Sequence, residues 1–470
     1  MYDAFANRLR LDALSAIRNQ NRHAVKLTHV SIRRHLFVLK MAPSLTRLSM
    51  TTQDEQTRRL SWEHLLLRAA RDISLSESQY AIIDSRYETL RNILSASNDP
   101  LLAEAHIFPQ GSMRLKTIIN PVKDAPEGLD TIDADAIVWL PNAGGADAIA
   151  VLDAIEKRFS EGSRVTAKIE RLRRGIRIVY ADENPGFHID VTPARAINGN
   201  RETKGEGKLE VPDREMGWKP SSPISYANWL NSASEQHILL KSVEGLEAFA
   251  IDSRDLVVGS ATQDPLPTYQ DYDDNDPLRA TIKLLKRHRD EWAIETRNES
   301  HRPISAVITT LATHAYLQVV QESRFSPLRP LDAIIKIVEK MPSFVTQVFG
   351  QYQVLNPKDP GENFAEKWNR PDEGARYRQA FYNWHASATV SIMLGLRAHE
   401  SEEAFARAMN SSFGIGKKLI NEANRELPKN WTLPGRKEGI TQNSVALAAL
   451  TGIAISSKPQ ASVKPVERLG

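Results

Sequence analysis

The stretch Gly111-Ser112-Met113-Arg114-Leu115-Lys116-Thr117, then Gly128-Leu129-Asp130-Thr131-Ile132-Asp133-Ala134-Asp135 and the apolar run Ala136-Ile137-Val138-Trp139-Leu140, decides how the chain reads. A Gly-Ser turn leads through a loop to two aspartates at the entry of a strand. Side chains alternate faces along a strand, so Asp133 and Asp135 point the same way. Neighbouring carboxylates repel unless a positive charge lies between them, and a divalent cation is the usual solution. Gly111 permits close backbone approach, and Ser112 offers a hydroxyl and an N–H, so both are expected to cradle phosphate.

Working outward, Ser61 reads as the N-cap of a first helix. Ser76 and Gln79 form a capping box for the next, whose stripe Tyr80, Ile83, Tyr87, Leu90 and Leu94 is core packing. Short runs rich in Ile, Val and Phe at 137–140, 164–169, 176–180 and 187–191 then predict strands, with a helix at 146–159 between them. In Phe187-His188-Ile189-Asp190-Val191 the residues His188 and Asp190 share one face, and Thr192-Pro193-Ala194 is expected to stop the strand. His188 reads as an ordinary, partly exposed strand residue. Residues 199–225, polar and rich in Gly and Pro, read as a loop crossing between lobes.

Beyond Tyr226 most segments have helical period. Asp276 and Pro277 start one helix, with Leu278, Ile282 and Leu285 on its buried face. Lys283, Lys286, Arg287 and Arg289 form its other face, read by default as solvated. Gly414-Ile415-Gly416-Lys417-Lys418 lacks the spacing of a phosphate loop. The expected fold class is α+β: one lobe with a mixed sheet, and a mainly helical second lobe. The expected domains are a basic extension at 1–50, the α/β core with its N-terminal helices at 51–225, the helical lobe at 226–455 and a disordered tail at 456–470.

Bulk numbers narrow the classes. The chain has 470 residues, 41% hydrophobic and 25% charged, as expected of a soluble two-lobed protein. A net charge of +3 argues against a broad basic surface for long nucleic acid. No cysteine is present, which excludes disulfides and Cys-ligated zinc. The apolar stretch at 445–455 is too short for a membrane span, so the expectation is a cytoplasmic protein without a membrane partner. The first fifty residues hold nine Lys or Arg and two Asp, a composition like a basic transit or tail segment. A start at Met50 explains them equally well.

The order of motifs points to chemistry: Gly-Ser, a two-aspartate strand about twenty residues on, and a third aspartate on a later strand. Each alone is weak, because Asp-x-Asp is commonly a solvated strand edge. Together they suit transfer of a nucleotidyl group, in which a hydroxyl attacks an α-phosphate and pyrophosphate leaves. Two ions about 3.5–4 Å apart stabilise the attacking and leaving oxygens in such reactions. Asp133 and Asp135 are the expected ligands of the ion on the triphosphate, and Asp190 the further ligand for the ion that activates the hydroxyl. The ions expected are two Mg²⁺, with Mn²⁺ as a substitute. Asp130, at an odd spacing in a loop, is the weaker candidate.

These residues resemble a known family. Gln110-Gly111-Ser112, Asp133-Ala134-Asp135 and Phe187-His188-Ile189-Asp190-Val191-Thr192-Pro193-Ala194 look like the core of the bacterial cyclic-oligonucleotide synthases, the CD-NTases. Those enzymes are relatives of cyclic GMP–AMP synthase and oligoadenylate synthase, with a polymerase-β-like lobe. The likeness extends through Trp218 and Ser222-Pro223-Ile224-Ser225-Tyr226-Ala227-Asn228-Trp229 to Leu284-Leu285-Lys286-Arg287-His288-Arg289-Asp290 and Arg302-Pro303-Ile304-Ser305, covering roughly residues 61–316. It implies that Lys286 and Ser305 contact the donor triphosphate. It implies NTP substrates (ATP, GTP or a pyrimidine NTP) and a cyclic di- or trinucleotide product used in anti-phage (CBASS) signalling. It implies a downstream effector and, for some members, conjugation of the C-terminal residue by ubiquitin-like machinery. Without cysteine, the zinc insertion with which the animal relative reads DNA is not expected. The alternatives are an enzyme adding nucleotides to RNA or another acceptor, and a catalytically idle nucleotide sensor.

Overall fold

The computed structural model describes residues 52–126, 128–162, 168–180, 185–197, 204–239, 266, 276–437 and 440–441. All belong to one compact unit, Thr52–Gly470. The basic extension, the apolar stretch at 445–455 and the tail at 456–470 lie outside the described residues.

Helices α1 (Thr52–Asp72) and α2 (Glu77–Ser95) come first. Strand β1 (His106–Gln110) leads into a single helical turn, α3 (Gly111–Arg114). Then follow β2 (Ile132–Trp139), α4 (Ala148–Gly162), β3 (Lys168–Arg171), β4 (Ile176–Tyr180), β5 (Phe187–Ala196), β6 (Leu209–Asp213) and β7 (Gly217–Ser221). The sheet runs β1-β2-β5-β4-β3, with β6 pairing the far end of β5 and β7 pairing β6. Strands β2 and β5 are parallel neighbours, and the other pairs are antiparallel.

Period-two alternation divides β2 cleanly. Ile132, Ala134, Ala136 and Val138 join Ile83, Tyr87, Leu90 and Leu94 of α2 and Val151, Ile155 and Phe159 of α4 in one core. On the opposite face Ile137 and Trp139 enter a smaller core with Phe108, Leu209, Val211 and Ile224. Asp133 and Asp135 stand on that second face, before its apolar cover begins. Local signals place α2 as expected: Ser76 and Gln79 complete the capping box.

The helical lobe contains α5 (Pro223–Ser234), α6 (Pro277–Thr296), α7 (Ser305–Ser323) and α8 (Pro330–Lys340). Two small hairpins follow, β8 (Thr346–Val348) with β9 (Gln351–Gln353), and β10 (Leu355–Asn356) with β11 (Asp359–Asn363). Helices α9 (Gly374–Ile392), α10 (Glu402–Phe413) and α11 (Lys417–Glu426) complete it. Helix α1 packs Trp62, Leu65, Leu66 and Ala69 into the core of this lobe, together with α6.

Several expectations are corrected. Ser61 caps nothing; it is buried inside α1, which starts at Thr52. Strand β5 continues through Pro193 to Ala196. At Pro193 the neighbour β4 has ended opposite Val191 and β6 has not yet begun, so the missing N–H costs no ladder bond. The expected crossing loop contains the β6–β7 hairpin and the first part of α5. The cationic face of α6 is not solvated: Lys286, Arg287 and Arg289 are all buried. The physical reason is that Lys286 and Arg287, with Arg279, satisfy carbonyls of the segment after α3 that have no strand partner, while Arg289 pairs with Asp290. Arg279 donates to the Leu115 carbonyl at 3.0 Å, Lys286 to Thr117 at 3.0 Å and Arg287 to Asn120 at 2.8 Å.

The start of α6 matches its sequence signal, with Asp276 accepting from the Arg279 N–H at 2.9 Å and from Ser234 at 2.8 Å. Asp276→Ala should cost about 1–2 kcal/mol. Thermal unfolding of the variant should show a lowered midpoint with unchanged far-UV circular dichroism.

Candidate active site

Strand register assembles the site. In the parallel β2–β5 pair, Asp133 lies opposite His188 and Asp135 opposite Asp190. On the outer sides Gln110 of β1 pairs with Asp135, and Arg177 of β4 with Asp190. The expected trio Asp133, Asp135 and Asp190 is therefore brought onto one face of two adjoining strands, β2 and β5.

Each carboxylate has a different neighbour. Arg177 forks onto Asp190, with Nε to Oδ1 at 2.7 Å and the second nitrogen to Oδ2 at 2.9 Å. Asp135 sits against Gly111, where a Cβ would stand 2.1 Å from Asp135 Oδ2. Gly111 also has φ +56°, a left-handed conformation that favours glycine. Asp133 Oδ1 lies 2.8 Å from His188 Nε2, and His188 Nδ1 lies 2.9 Å from the Thr131 hydroxyl.

Charge follows this geometry. Burial, then repulsion from Asp133 and Asp190, raises the Asp135 carboxyl well above its ordinary range against the pull of Lys286 and Arg177. Burial also works to raise Asp133, but the hydrogen bond and charge of His188, with Arg177 and Lys286, outweigh it and hold Asp133 low. The side chain of Asp133 is 66% exposed to the cleft, so water tempers the burial contribution there. Like charges crowded on oxygen donors are what a hard divalent cation relieves, so the donor set fits Mg²⁺ or Mn²⁺. Among the described residues, Asp133, His188 and Asp190 bring ligand atoms within 4.8 Å of one another.

The cleft has a volume of about 380 Å³ and is lined by Gly111, Ser112, Asp133, Asp135, Lys286 and Ser305, among others. All four residues expected to touch phosphate thus face it. Ser112 Oγ stands 3.5 Å from the Asp133 carbonyl oxygen. Burial, then Arg289, pushes the Lys286 ammonium down to about 8, against the pull of Asp133, Asp290 and Asp135. Ser305, at the start of α7, accepts from Arg289 at 2.9 Å, and Arg289 is paired with Asp290 at 2.8 Å. The weaker candidate Asp130 stays in its loop, accepting from the Gly128 N–H at 3.1 Å.

Sequence reasoning missed Arg177, Thr131 and Arg289, and it undervalued His188. His188 is buried, not partly exposed, because Thr131 and Asp133 close over both ring nitrogens. Alternation alone had put it on the face of Asp190; the partners that bury it come from β2, which no local pattern announces. Arg177 is visible only once β4 is placed beside β5.

Fold and site together define a nucleotidyltransferase. Residues 62–233 match the family model of the Second Messenger Oligonucleotide or Dinucleotide Synthetase domain. That part of the chain is a nucleotidyltransferase domain. Among solved structures, the fold is similar to that of the CD-NTase CdnG of Bradyrhizobium diazoefficiens, determined in complex with GTP. That match has 21% identity and a TM-score of 0.53, covering 77% of this chain and 98% of CdnG. The Vibrio cholerae DncV cyclic AMP–GMP synthase, determined with nonhydrolyzable GTP, matches at 14% identity and TM-score 0.43, over 80% of this chain and 95% of its own. At these identities the likeness is one of fold. No curated protein matches the chain.

Because the folded state raises the Asp135 pKa, ionised Asp135 destabilises the metal-free protein at neutral pH. Stability lost to it is recovered as pH falls through the raised value. Asp135→Asn should therefore raise the thermal midpoint of metal-free protein near neutral pH, and the gain should shrink on acidification. A pH series of melting curves in EDTA checks both parts.

Proposed function

We propose that the chain is a divalent-metal-dependent enzyme that joins nucleoside triphosphates into a cyclic di- or trinucleotide, releasing pyrophosphate at each linkage. One observation carries the reading: Asp133, Asp135 and Asp190 stand in register on an open sheet face beside Gly111, Ser112 and Lys286. Asp133 and Asp135 would hold the ion on the donor triphosphate, and Asp190 would join them for the ion at the acceptor hydroxyl. Two such ions, Mg²⁺ or Mn²⁺, supply neutralisation of the phosphates and a lowered pKa of the hydroxyl.

The chain's own groups do the positioning. Ser112, Lys286 and Ser305 bind phosphate oxygens, and Gly111 leaves the backbone free to approach them. Arg177 fixes the rotamer of Asp190 by donating to both of its oxygens. The acceptor oxygen forms its bond to the donor α-phosphorus while the bond to the β-phosphate oxygen breaks. The hydroxyl proton passes to solvent or to a free carboxylate oxygen. A linear intermediate then turns in the same site and closes.

The second nucleotide would sit beside the β3–β4 turn. A cavity of about 450 Å³ there shares Arg302 and Ile304 with the cleft and is also lined by Arg174, Lys219, Lys367 and Trp368, with Glu366 paired to both Arg174 and Lys219. Burial, then the nearby cation Arg370, works against the Lys367 charge, which is the setting an anionic substrate would relieve. The product would act on a cyclic-nucleotide-responsive effector in anti-phage defence, a reading that rests on the family resemblance.

Purified protein with four NTPs and Mg²⁺, followed by phosphatase, should yield a resistant product of cyclic-oligonucleotide mass. Lengthening of labelled RNA would favour a tailing enzyme, and unchanged NTPs a sensor. Asp133→Ala should fold, because it removes a repulsive exposed carboxylate and no core, yet make no product; synthesis at the wild-type rate would refute the metal assignment. Lys367→Ala should raise the KM for the second nucleotide several-fold with a smaller change in kcat, and an unaltered KM would empty that cavity of its assigned role.

A further inference from the structure

We propose that His188 is a positioning residue that aims Asp133 at the cation, and is not itself a ligand. The inference rests on the reading of Asp133 as a metal ligand given above. Three carboxylates share the face, and each needs something to fix its rotamer. Asp190 has the Arg177 fork, and Asp135 is packed against Gly111. Asp133 stands on the open rim with its side chain 66% exposed, so packing cannot hold it. Its close side-chain partner is His188, which is only 5% exposed and lies directly opposite in register.

The hydrogen-bond direction settles the role. An ionised carboxylate only accepts, so His188 Nε2, 2.8 Å from Asp133 Oδ1, carries the hydrogen. On its other side the ring is held by the Thr131 hydroxyl, 2.9 Å from His188 Nδ1. Thr131, His188 and Asp133 form one continuous hydrogen-bonded chain. A ring nitrogen that donates a hydrogen has no lone pair for a metal, although Nε2 also lies 4.0 Å from Asp190 Oδ1 and thus within the ligand cluster. His188 instead occupies Oδ1, which leaves Oδ2 of Asp133, a residue that lines the cleft, for the cation. Hydrogen-bonding partners behind a ligand commonly change metal affinity by about 10–100-fold when removed.

The test uses the full chain without nucleotide. Mn²⁺ binding is titrated by electron paramagnetic resonance for wild type, His188→Ala, His188→Gln, Thr131→Val and Asp133→Ala. Removing the donor in His188→Ala should weaken Mn²⁺ binding by about 10-fold or more. His188→Gln, whose amide N–H reaches the same oxygen, should bind close to wild type. Thr131→Val should fall between them, and it keeps the proposal open to refutation if His188→Ala does not fold. In metal-free protein with ¹⁵N-labelled histidine, the His188 ring should be the Nε2–H tautomer. Wild-type affinity in His188→Ala or Thr131→Val, loss in His188→Gln equal to that in His188→Ala, or an Nδ1–H tautomer would each overturn the proposal. Undiminished binding by Asp133→Ala would strike the underlying metal reading instead.

Discussion

The parallel, in-register pairing of β2 with β5 is the constraint on which the site depends. It places Asp135 beside Asp190 and Asp133 beside His188, so four polar side chains from segments more than fifty residues apart share one patch. The pairing is held from behind by a continuous apolar core, in which Ala134, Ile189 and Val191 pack against α2 and α4. Hydrophobic burial on one face thus stabilises charge crowding on the other. Burial first, and then that crowding, raises the Asp135 carboxyl. Such stored repulsion is common where a site is built to receive an ion.

The helical lobe supplies the countercharge and the walls. Helix α6 is buried nearly all round, yet it carries Lys286, Arg287, Arg289 and Asp290. A buried cation is tolerated only with partners. Here the partners are carbonyls of the segment following α3 and the Arg289–Asp290 pair. The same contacts hold that segment, and with it the Gly111-Ser112 turn, against the second lobe. Structural bracing and the supply of positive charge to the cleft are therefore done by one helix, which explains why its polar side chains look solvent-facing by pattern and are enclosed in fact.

Much of the fold was legible because its signals are local. The capping box at Ser76 and Gln79, the Asp276-Pro277 start and the helix periods of α2, α4 and α8 all depend on neighbours within a turn or two. Pro193 and the hairpin β6–β7 were misjudged because a proline or a Gly-rich stretch acquires its meaning from adjoining strands. Ser61 shows the same effect: a capping residue type means nothing once the helix begins nine residues earlier. Within the site, Asp133, Asp135, Asp190, Gly111 and Ser112 were readable from alternation and residue chemistry, and Lys286 and Ser305 only through resemblance.

The amino-acid sequence by itself determined which side chains have the right chemistry and which face of its own strand each occupies, since alternation is a property of a single backbone. Only the tertiary structure decided who meets whom. Register between β2 and β5 turned His188 from a strand residue into the partner of Asp133, and β4 brought Arg177 to Asp190. Strand register is set by burial of the opposite face against distant elements. That is a long-range balance of packing, and no window of sequence around the aspartates contains it.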